Sequence, residues 1–273
     1  MPDREGRRKL LDHTIFEVIP MKNTAEKARD LPAGATVSVT ASPDKGMMAT
    51  VELAEALADA GYQIVPHISA RLLESEHELR RVVDRVRDAG ATRVFVVGGD
   101  VQVGTAFEDA MAVLRALDDL DHPFTEIGVA AYPEGHPSIP EHVLRSSLQE
   151  KQQHAHYMAT QMCFDAAGIE TWIRSERTAG VTLPLVIGIP GVTDPARLVT
   201  IGARIGVGQS LRYLRKNRST IFKLLRPGPY DPTKLVDKLA GLALDPSTNA
   251  IGLHVFTFNQ IAPTAEWYER LTT

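Results

Sequence analysis

The chain has 273 residues, of which 44% are hydrophobic and 23% are charged, and its net charge is −4 at pH 7. This length and composition suit one large α/β domain or two small globular domains. The negative charge gives no electrostatic basis for nucleic-acid binding, and no apolar run reaches the roughly 18–20 residues of a membrane helix. The single cysteine, Cys163, excludes an internal disulfide and a cysteine metal site. It fits a reducing cytoplasm, which is the location we predict.

The first residues are basic and are not followed by the apolar core of a secretory signal. We interpret residues 1–14 as an N-terminal tail, either solvated or formed into a short leading helix. Residues 15–273 are interpreted as one catalytic domain.

From residue 15 onward the chain alternates predicted strands and helices, without a linker or a break in composition. Several predicted helices end at a glycine, as is typical of a left-handed C′ position. The predicted strands cover residues 15–20, 36–40, 63–69, 93–100, 125–131, 156–164, 183–191 and 251–259. The predicted helices cover residues 50–60, 74–89, 107–120, 147–153, 169–179 and 262–271, together with a mostly helical stretch at 195–244 that is interrupted at 227–229.

Eight strand–helix repeats over about 250 residues are the pattern of a (β/α)₈ TIM barrel. A doubly wound open sheet is the alternative. The barrel is preferred because the helix lengths are even and no strand has the character of an antiparallel edge.

In such a barrel the active groups lie at the carboxyl ends of the strands. The fifth strand is the clearest example, since it stops in a loop braced by Pro133 and Pro137. Polar residues at the predicted strand ends are Glu17, Thr40, His67, Asp100, Tyr132, His136, Gln161, Asp165 and Asn259.

Among these residues, Glu17 and Asp100 are acids that could face the mouth of the barrel, where a buried carboxyl can act as a general acid. A structural ion pair for Glu17 and a turn or helix-cap role for Asp100 stay open. No metal site is predicted, because His154 and His156 lack further ligands.

The strand-end motifs resemble the methylenetetrahydrofolate reductase family over roughly residues 15–271. The run Ala130-Ala131-Tyr132-Pro133-Glu134-Gly135-His136-Pro137 is the most specific of them. The others are Phe16-Glu17-x-x-Pro20, Val37-Ser38-Val39-Thr40, Pro66-His67-Ile68, Gly99-Asp100, Thr160-Gln161-x-x-Phe164-Asp165, Pro190-Gly191 and Phe256-Thr257-x-Asn259.

The resemblance implies a barrel enzyme that reduces 5,10-methylenetetrahydrofolate to 5-methyltetrahydrofolate, in one-carbon metabolism and methionine biosynthesis. It implies that Glu17 is the general acid and that Asp100 stabilises positive charge near the pterin. Since Phe16 and Val18 flank Glu17, we expect apolar surroundings to keep its carboxyl protonated near neutrality. The implied substrate-binding residues are Gln161, Asp100, Tyr132, Phe256 and Asn259, and the implied cofactor-binding residues are Thr40, His67, Gly99, Tyr132 and His136.

The sequence departs from the family pattern at positions that matter for the cofactor. Gly98 stands where the family has an arginine on the phosphate side of FAD, and Gln260 replaces a second arginine. Fixed donors to a pyrophosphate are therefore missing, which leaves FAD uncertain. We expect direct hydride transfer from NADH or NADPH. A basic cluster could meet a cofactor phosphate or the folate tail, and it comprises Arg212, Arg215, Lys216 and Arg218.

Two alternatives remain. One is an FAD-dependent version of the same reaction, and the other is a non-reducing folate- or pterin-binding relative in one-carbon or demethylation metabolism. The expected partner is a small-molecule substrate, with no nucleic acid and no membrane, and a homo-oligomer is left open.

Overall fold

The structure is a computed structural model that describes residues 2–99, 106–194 and 228–273. The predicted Asp100 and the basic cluster lie outside these residues.

The described residues contain eight parallel strands that form a closed barrel in chain order. Closure depends on β1 pairing with both β2 and β8, where Glu17 is in register with Ser38 on one side and Phe256 on the other. This confirms the (β/α)₈ barrel and excludes the open sheet. The strands are β1 Thr14–Val18, β2 Thr36–Val39, β3 Gln63–Ser69, β4 Arg93–Val97, β5 Glu126–Ala131, β6 Tyr157–Thr160, β7 Leu185–Pro190 and β8 Ala250–Phe256.

The described helices surround this barrel and match the predicted order. They are α1 Pro2–Asp12, α2 Thr24–Lys27, α3 Gly46–Asp59, α4 Glu76–Asp88, α5 Ala110–Asp118, α6 Glu141–Lys151, α7 Ala166–Thr178, α8 Thr233–Leu244 and α9 Ile261–Thr272. Short 3₁₀ turns follow α2 and β3, at Ala28–Asp30 and Ala70–Leu72. None of the described helices is long and apolar enough to cross a membrane.

Each strand buries both of its faces, because one faces the helices and the other faces the lumen. On β1, Phe16 and Val18 belong to the large core shared with the helices. Ile15, on the opposite face, belongs to a separate cluster made only of strand residues. Because side chains alternate along a strand, Glu17 shares the lumen face with Ile15.

The lumen is tightly filled at its centre. Phe95 and Tyr157 lie there with their ring centroids 6.2 Å apart. A side chain at Gly128 would place its Cβ 2.2 Å from the Tyr157 ring, so the glycine makes room for this aromatic packing.

Helix α1 shows that the first residues are not a solvated tail; the helical alternative is the one observed. Leu10 and Leu11 are buried, and Arg7 forms an ion pair with Asp237 of α8 at 3.1 Å. Gly6 lies directly against α8, where a Cβ would be 2.1 Å from the carbonyl oxygen of Ala240.

Several boundaries differ from the sequence prediction. Strands β1, β4 and β6 end earlier than predicted, since the ladder bonds to their neighbours stop before the polar residues that follow. Helix α6 begins at Glu141 rather than at residue 147, directly after Pro140, whose backbone is still extended. Of the predicted helical stretch at 195–244, only α8 lies within the described residues.

Candidate active site

The Glu17 carboxyl group lies inside the barrel near the end of β1, with 12% of its side chain exposed. Its sequence neighbours Phe16 and Val18 point the other way, into the core under the helices. The expectation of apolar surroundings for this carboxyl is therefore wrong. Its Oε2 atom lies 2.9 Å from Nε2 of His254 and 3.9 Å from Nε2 of His67.

His254 lies on β8 and is almost fully buried. Its Nδ1 atom is buried without a hydrogen-bond partner in the described part of the chain. An unpaired buried N–H is rarer than an unpaired buried acceptor. We therefore place the ring proton on Nε2, from which it donates to Glu17.

Sequence reasoning missed His254 because it considered only residues at strand ends. The signal that could have revealed it is the alternation of side chains along a strand, which puts His254 on the same face of β8 as Phe256. That face meets Glu17 only because β8 pairs with β1.

The ring of His67 reaches the same carboxyl from β3. Its Nε2 lies 2.7 Å from the hydroxyl oxygen of Ser38, and its ring packs against Phe95 with centroids 4.8 Å apart. Burial, with a smaller contribution from the neighbouring His254, lowers the pKa of His67 to about 3. This imidazole is therefore neutral at physiological pH.

Two predicted substrate-binding residues lie near this cluster, in different settings. Phe256 is buried with its ring centroid 5.0 Å from that of His254. The Asn259 amide is engaged by the chain itself, because it exchanges hydrogen bonds of 2.9 Å with both the N–H and the carbonyl of Ile19 and also donates to Thr24. Asn259, at φ 57°, thus ties the end of β8 to the segment after β1, which leaves substrate binding by its amide without support.

Gln161 and Thr40 follow β6 and β2, respectively. The Gln161 side-chain oxygen accepts a hydrogen bond of 3.0 Å from the Met162 N–H. Thr40 donates its backbone N–H to Val18 and accepts from the Thr50 hydroxyl, so its backbone helps to join β1, β2 and α3.

A cavity of about 910 Å³ opens beside the ends of β4 and β5, against α5 and α6. It brings together Gly99, Tyr132 and His136, three of the predicted cofactor-binding residues. Thr40 and His67 are not part of this lining. The Tyr132 and His136 rings pack edge to face, with their centroids 5.3 Å apart.

The cavity lining also contains three cationic and four acidic side chains that sequence reasoning did not single out: Arg71, Arg145 and Lys151, with Glu108, Asp109, Glu141 and Glu176. Arg71 donates to the carbonyl oxygens of Gly99 and Glu108. Lys151, at the end of α6, is largely buried, and desolvation lowers the pKa of its ammonium group. The negative charges of Asp109 and Glu150 oppose that shift.

His154 and His156 do not converge. His154 pairs with Asp118, whereas Nδ1 of His156 accepts from the Ile127 N–H at 3.1 Å. They form no common site in the described chain.

The architecture places the chain among TIM-barrel proteins. Among solved structures, a phosphonopyruvate hydrolase in complex with oxalate and Mg²⁺ matches with a TM-score of 0.50 and 12% identity, over 99% of this chain and 85% of that one. At this identity the likeness concerns the fold alone.

Sequence comparison gives the family. The sequence model described as methylenetetrahydrofolate reductase matches residues 20–204, which is more than half of the chain. The chain belongs to the methylenetetrahydrofolate reductase family. The matched range includes the predicted cofactor residues and Gln161, but not Glu17 or β8.

Two curated relatives carry the same description. A probable methylenetetrahydrofolate reductase (NADPH) of Caenorhabditis elegans is 25% identical over 183 residues, covering 61% of this chain and 28% of that protein. Methylenetetrahydrofolate reductase 2 of Saccharomyces cerevisiae is 34% identical over 74 residues, covering 26% of this chain and 12% of that protein. The chain thus matches less than a third of the length of either relative.

Proposed function

We propose that the protein reduces 5,10-methylenetetrahydrofolate to 5-methyltetrahydrofolate with NADH or NADPH, and that Glu17 is the general acid. The observation that carries this proposal is the Glu17 carboxyl, held inside the barrel mouth of a chain of this family. Opening the imidazolidine ring breaks the bond between the methylene carbon and N10, so the departing N10 must receive a proton. A positioned carboxyl can supply it.

The hydrogen bond from His254 indicates which oxygen carries that proton. Oε2 of Glu17 accepts from His254 at 2.9 Å, so the transferable proton belongs on Oε1. Proton transfer to N10 leaves a 5-iminium cation, and the resulting carboxylate lies where it can stabilise that charge. Addition of hydride to the iminium carbon completes the methyl group.

The cavity beside β4 and β5 has the size for a dinucleotide cofactor. Its volume of about 910 Å³ lies within the range of sites for large ligands. Within the described part of the chain no carboxylate is hydrogen-bonded to the Lys151 ammonium group. Arg71 lies in the same lining, and Tyr132 offers an aromatic face. We propose that these residues hold the cofactor, which supplies the hydride when bound.

Direct transfer from the nicotinamide is preferred over a flavin relay. Gly98, which follows β4, provides no guanidinium for an FAD pyrophosphate at the position where the family has an arginine. Gln161 and Asp100 remain proposed ligands of the pterin.

The visible absorption spectrum of freshly purified protein tests the cofactor, and anaerobic oxidation of NAD(P)H with methylenetetrahydrofolate tests the reaction. A colourless protein that oxidises NAD(P)H establishes direct transfer, whereas near-stoichiometric FAD establishes the relay. A colourless protein without activity refutes the reductase proposal and favours a folate-binding relative.

The role of Glu17 is tested separately. Glu17→Gln keeps the shape of the side chain and an oxygen that can accept from His254, so folate binding should persist. The turnover number should fall by about 10²–10⁴-fold, the usual contribution of general acid catalysis. Glu266→Gln, at an exposed position on α9, is the matched control. Full activity of Glu17→Gln would refute the assignment.

A further inference from the structure

The groups around Glu17 form a cluster whose composition goes beyond what an acid catalyst needs. One carboxylate oxygen and two imidazole nitrogens, from Glu17, His67 and His254, all lie within 4.8 Å of one another. They come from three separate strands, and both imidazoles are buried. The rings of Phe95 and Phe256 pack against them.

We propose that Glu17, His67 and His254 form a binding site for a divalent transition metal ion of the zinc class, and that the bound ion inhibits the enzyme. Two imidazoles and one carboxylate are a ligand set that suits such ions. The sequence did not suggest this site, since its histidines are 187 residues apart in the chain.

The distances are close to those that a metal requires. With bonds of about 2.0–2.2 Å, the ligand atoms of a tetrahedral site lie roughly 3.3–3.5 Å apart. Oε2 of Glu17 lies 3.9 Å from Nε2 of His67 and 2.9 Å from Nε2 of His254. The three ligand atoms span up to 4.8 Å, so shifts of about an ångström in these side chains would bring them to that spacing. A water or the nearby Ser38 hydroxyl would complete the coordination.

Ligation also rearranges protons at the site. The metal takes the Nε2 lone pair of His254, so the proton on that atom must move to Nδ1 or leave to solvent. Nδ1 is buried without a partner in the described chain, and therefore lacks the acceptor that usually supports a ligating imidazole. For this reason we expect reversible binding by free metal rather than a permanently held ion.

The effect on catalysis follows from the position of Glu17. A carboxylate bound to the metal cannot carry the proton for N10, so the ion competes with general acid catalysis. This consequence rests on the proposed function, whereas metal binding itself does not.

The test is titration of chelator-treated protein with Co²⁺, followed by the visible ligand-field spectrum, and titration with Zn²⁺ followed by calorimetry. One equivalent of Co²⁺ should give the intense bands of a low-coordinate site. His254→Phe and the more conservative His67→Gln should each weaken binding at least 100-fold while retaining the circular dichroism of the barrel. His142→Gln, at an exposed position on α6, should bind as the unsubstituted chain does.

Absence of the bands, or equal binding by all of these variants, would overturn the proposal. Zn²⁺ should also inhibit NAD(P)H oxidation, with recovery on addition of a chelator and no inhibition of residual turnover in His254→Phe. Metal binding without any reductase activity under metal-free conditions would leave this site standing and refute the proposed function instead.

Discussion

Because His254 donates a hydrogen bond to Glu17, we predict that replacing His254 lowers the activity of the protein much more than its stability. In His254→Phe a somewhat larger ring replaces the imidazole, and both ring nitrogens are removed. Glu17 loses a donor at 2.9 Å, and the buried Nδ1 atom that had no partner disappears.

The two effects on the free energy of unfolding have opposite signs. Loss of the hydrogen bond to the protonated Glu17 carboxyl costs about 0.5–1.5 kcal/mol, and removal of an unsatisfied buried polar atom returns about 1–3 kcal/mol. The Glu17 side chain is 12% exposed, so water can partly replace the lost donor. The net change should therefore be within about 1.5 kcal/mol.

Activity should respond much more strongly than stability. Without its donor the Glu17 carboxyl is no longer held in one orientation, and small misplacements of catalytic groups can cost up to about 100-fold in rate. We expect the turnover number to fall 10–100-fold with little change in the KM for folate. His254 would then be a positioning residue.

The assays are equilibrium chemical denaturation and steady-state kinetics, both with a chelator present. His254→Gln is the matched variant, because its amide N–H can still donate toward Glu17 and should recover part of the turnover. A loss of more than about 3 kcal/mol in His254→Phe would show that Nδ1 has a partner. An unchanged turnover number would show that Glu17 needs no donor.

Three further predictions concern other parts of the chain. Lys151→Met should raise the KM for NAD(P)H about tenfold or more. The surface variant Lys22→Met is the control and should leave this KM unchanged. If both variants have the same KM, Lys151 does not belong to the cofactor site. Gly188→Ala should lower the free energy of unfolding by about 3 kcal/mol in urea denaturation, since its Cβ would lie 2.2 Å from a main-chain oxygen of β6. Gly241→Ala is the control in helix α8, where a Cβ would meet no atom within 4 Å, and it should raise the free energy of unfolding by about 0.5–1 kcal/mol. The pKa of His67 is about 3 in the folded chain and 6.5 in its ordinary state, so the unfolded chain binds the extra proton. The contribution of His67 to stability is therefore complete above pH 6.5, and it falls by up to about 1.4 kcal/mol per pH unit as the pH drops toward 3. The free energy of unfolding measured in urea should therefore depend less on pH in His67→Gln.

The sequence by itself determined the barrel and much of its rim. Alternating strands and helices, with glycines at helix ends, predict the order of the elements, because these signals are local. The loop that carries Tyr132 and His136 could also be predicted from the sequence, since two prolines fix its backbone just after β5. Both residues do line the cavity beside the rim.

Only the tertiary structure decided what surrounds the candidate acid. Neighbours in sequence suggested an apolar setting for Glu17, but consecutive side chains on a strand face opposite sides. Its real neighbours come from β3 and β8, and His254 is 237 residues away along the chain. Barrel closure joins the first strand to the last, and such a long-range pairing leaves no signal in the residues around either partner.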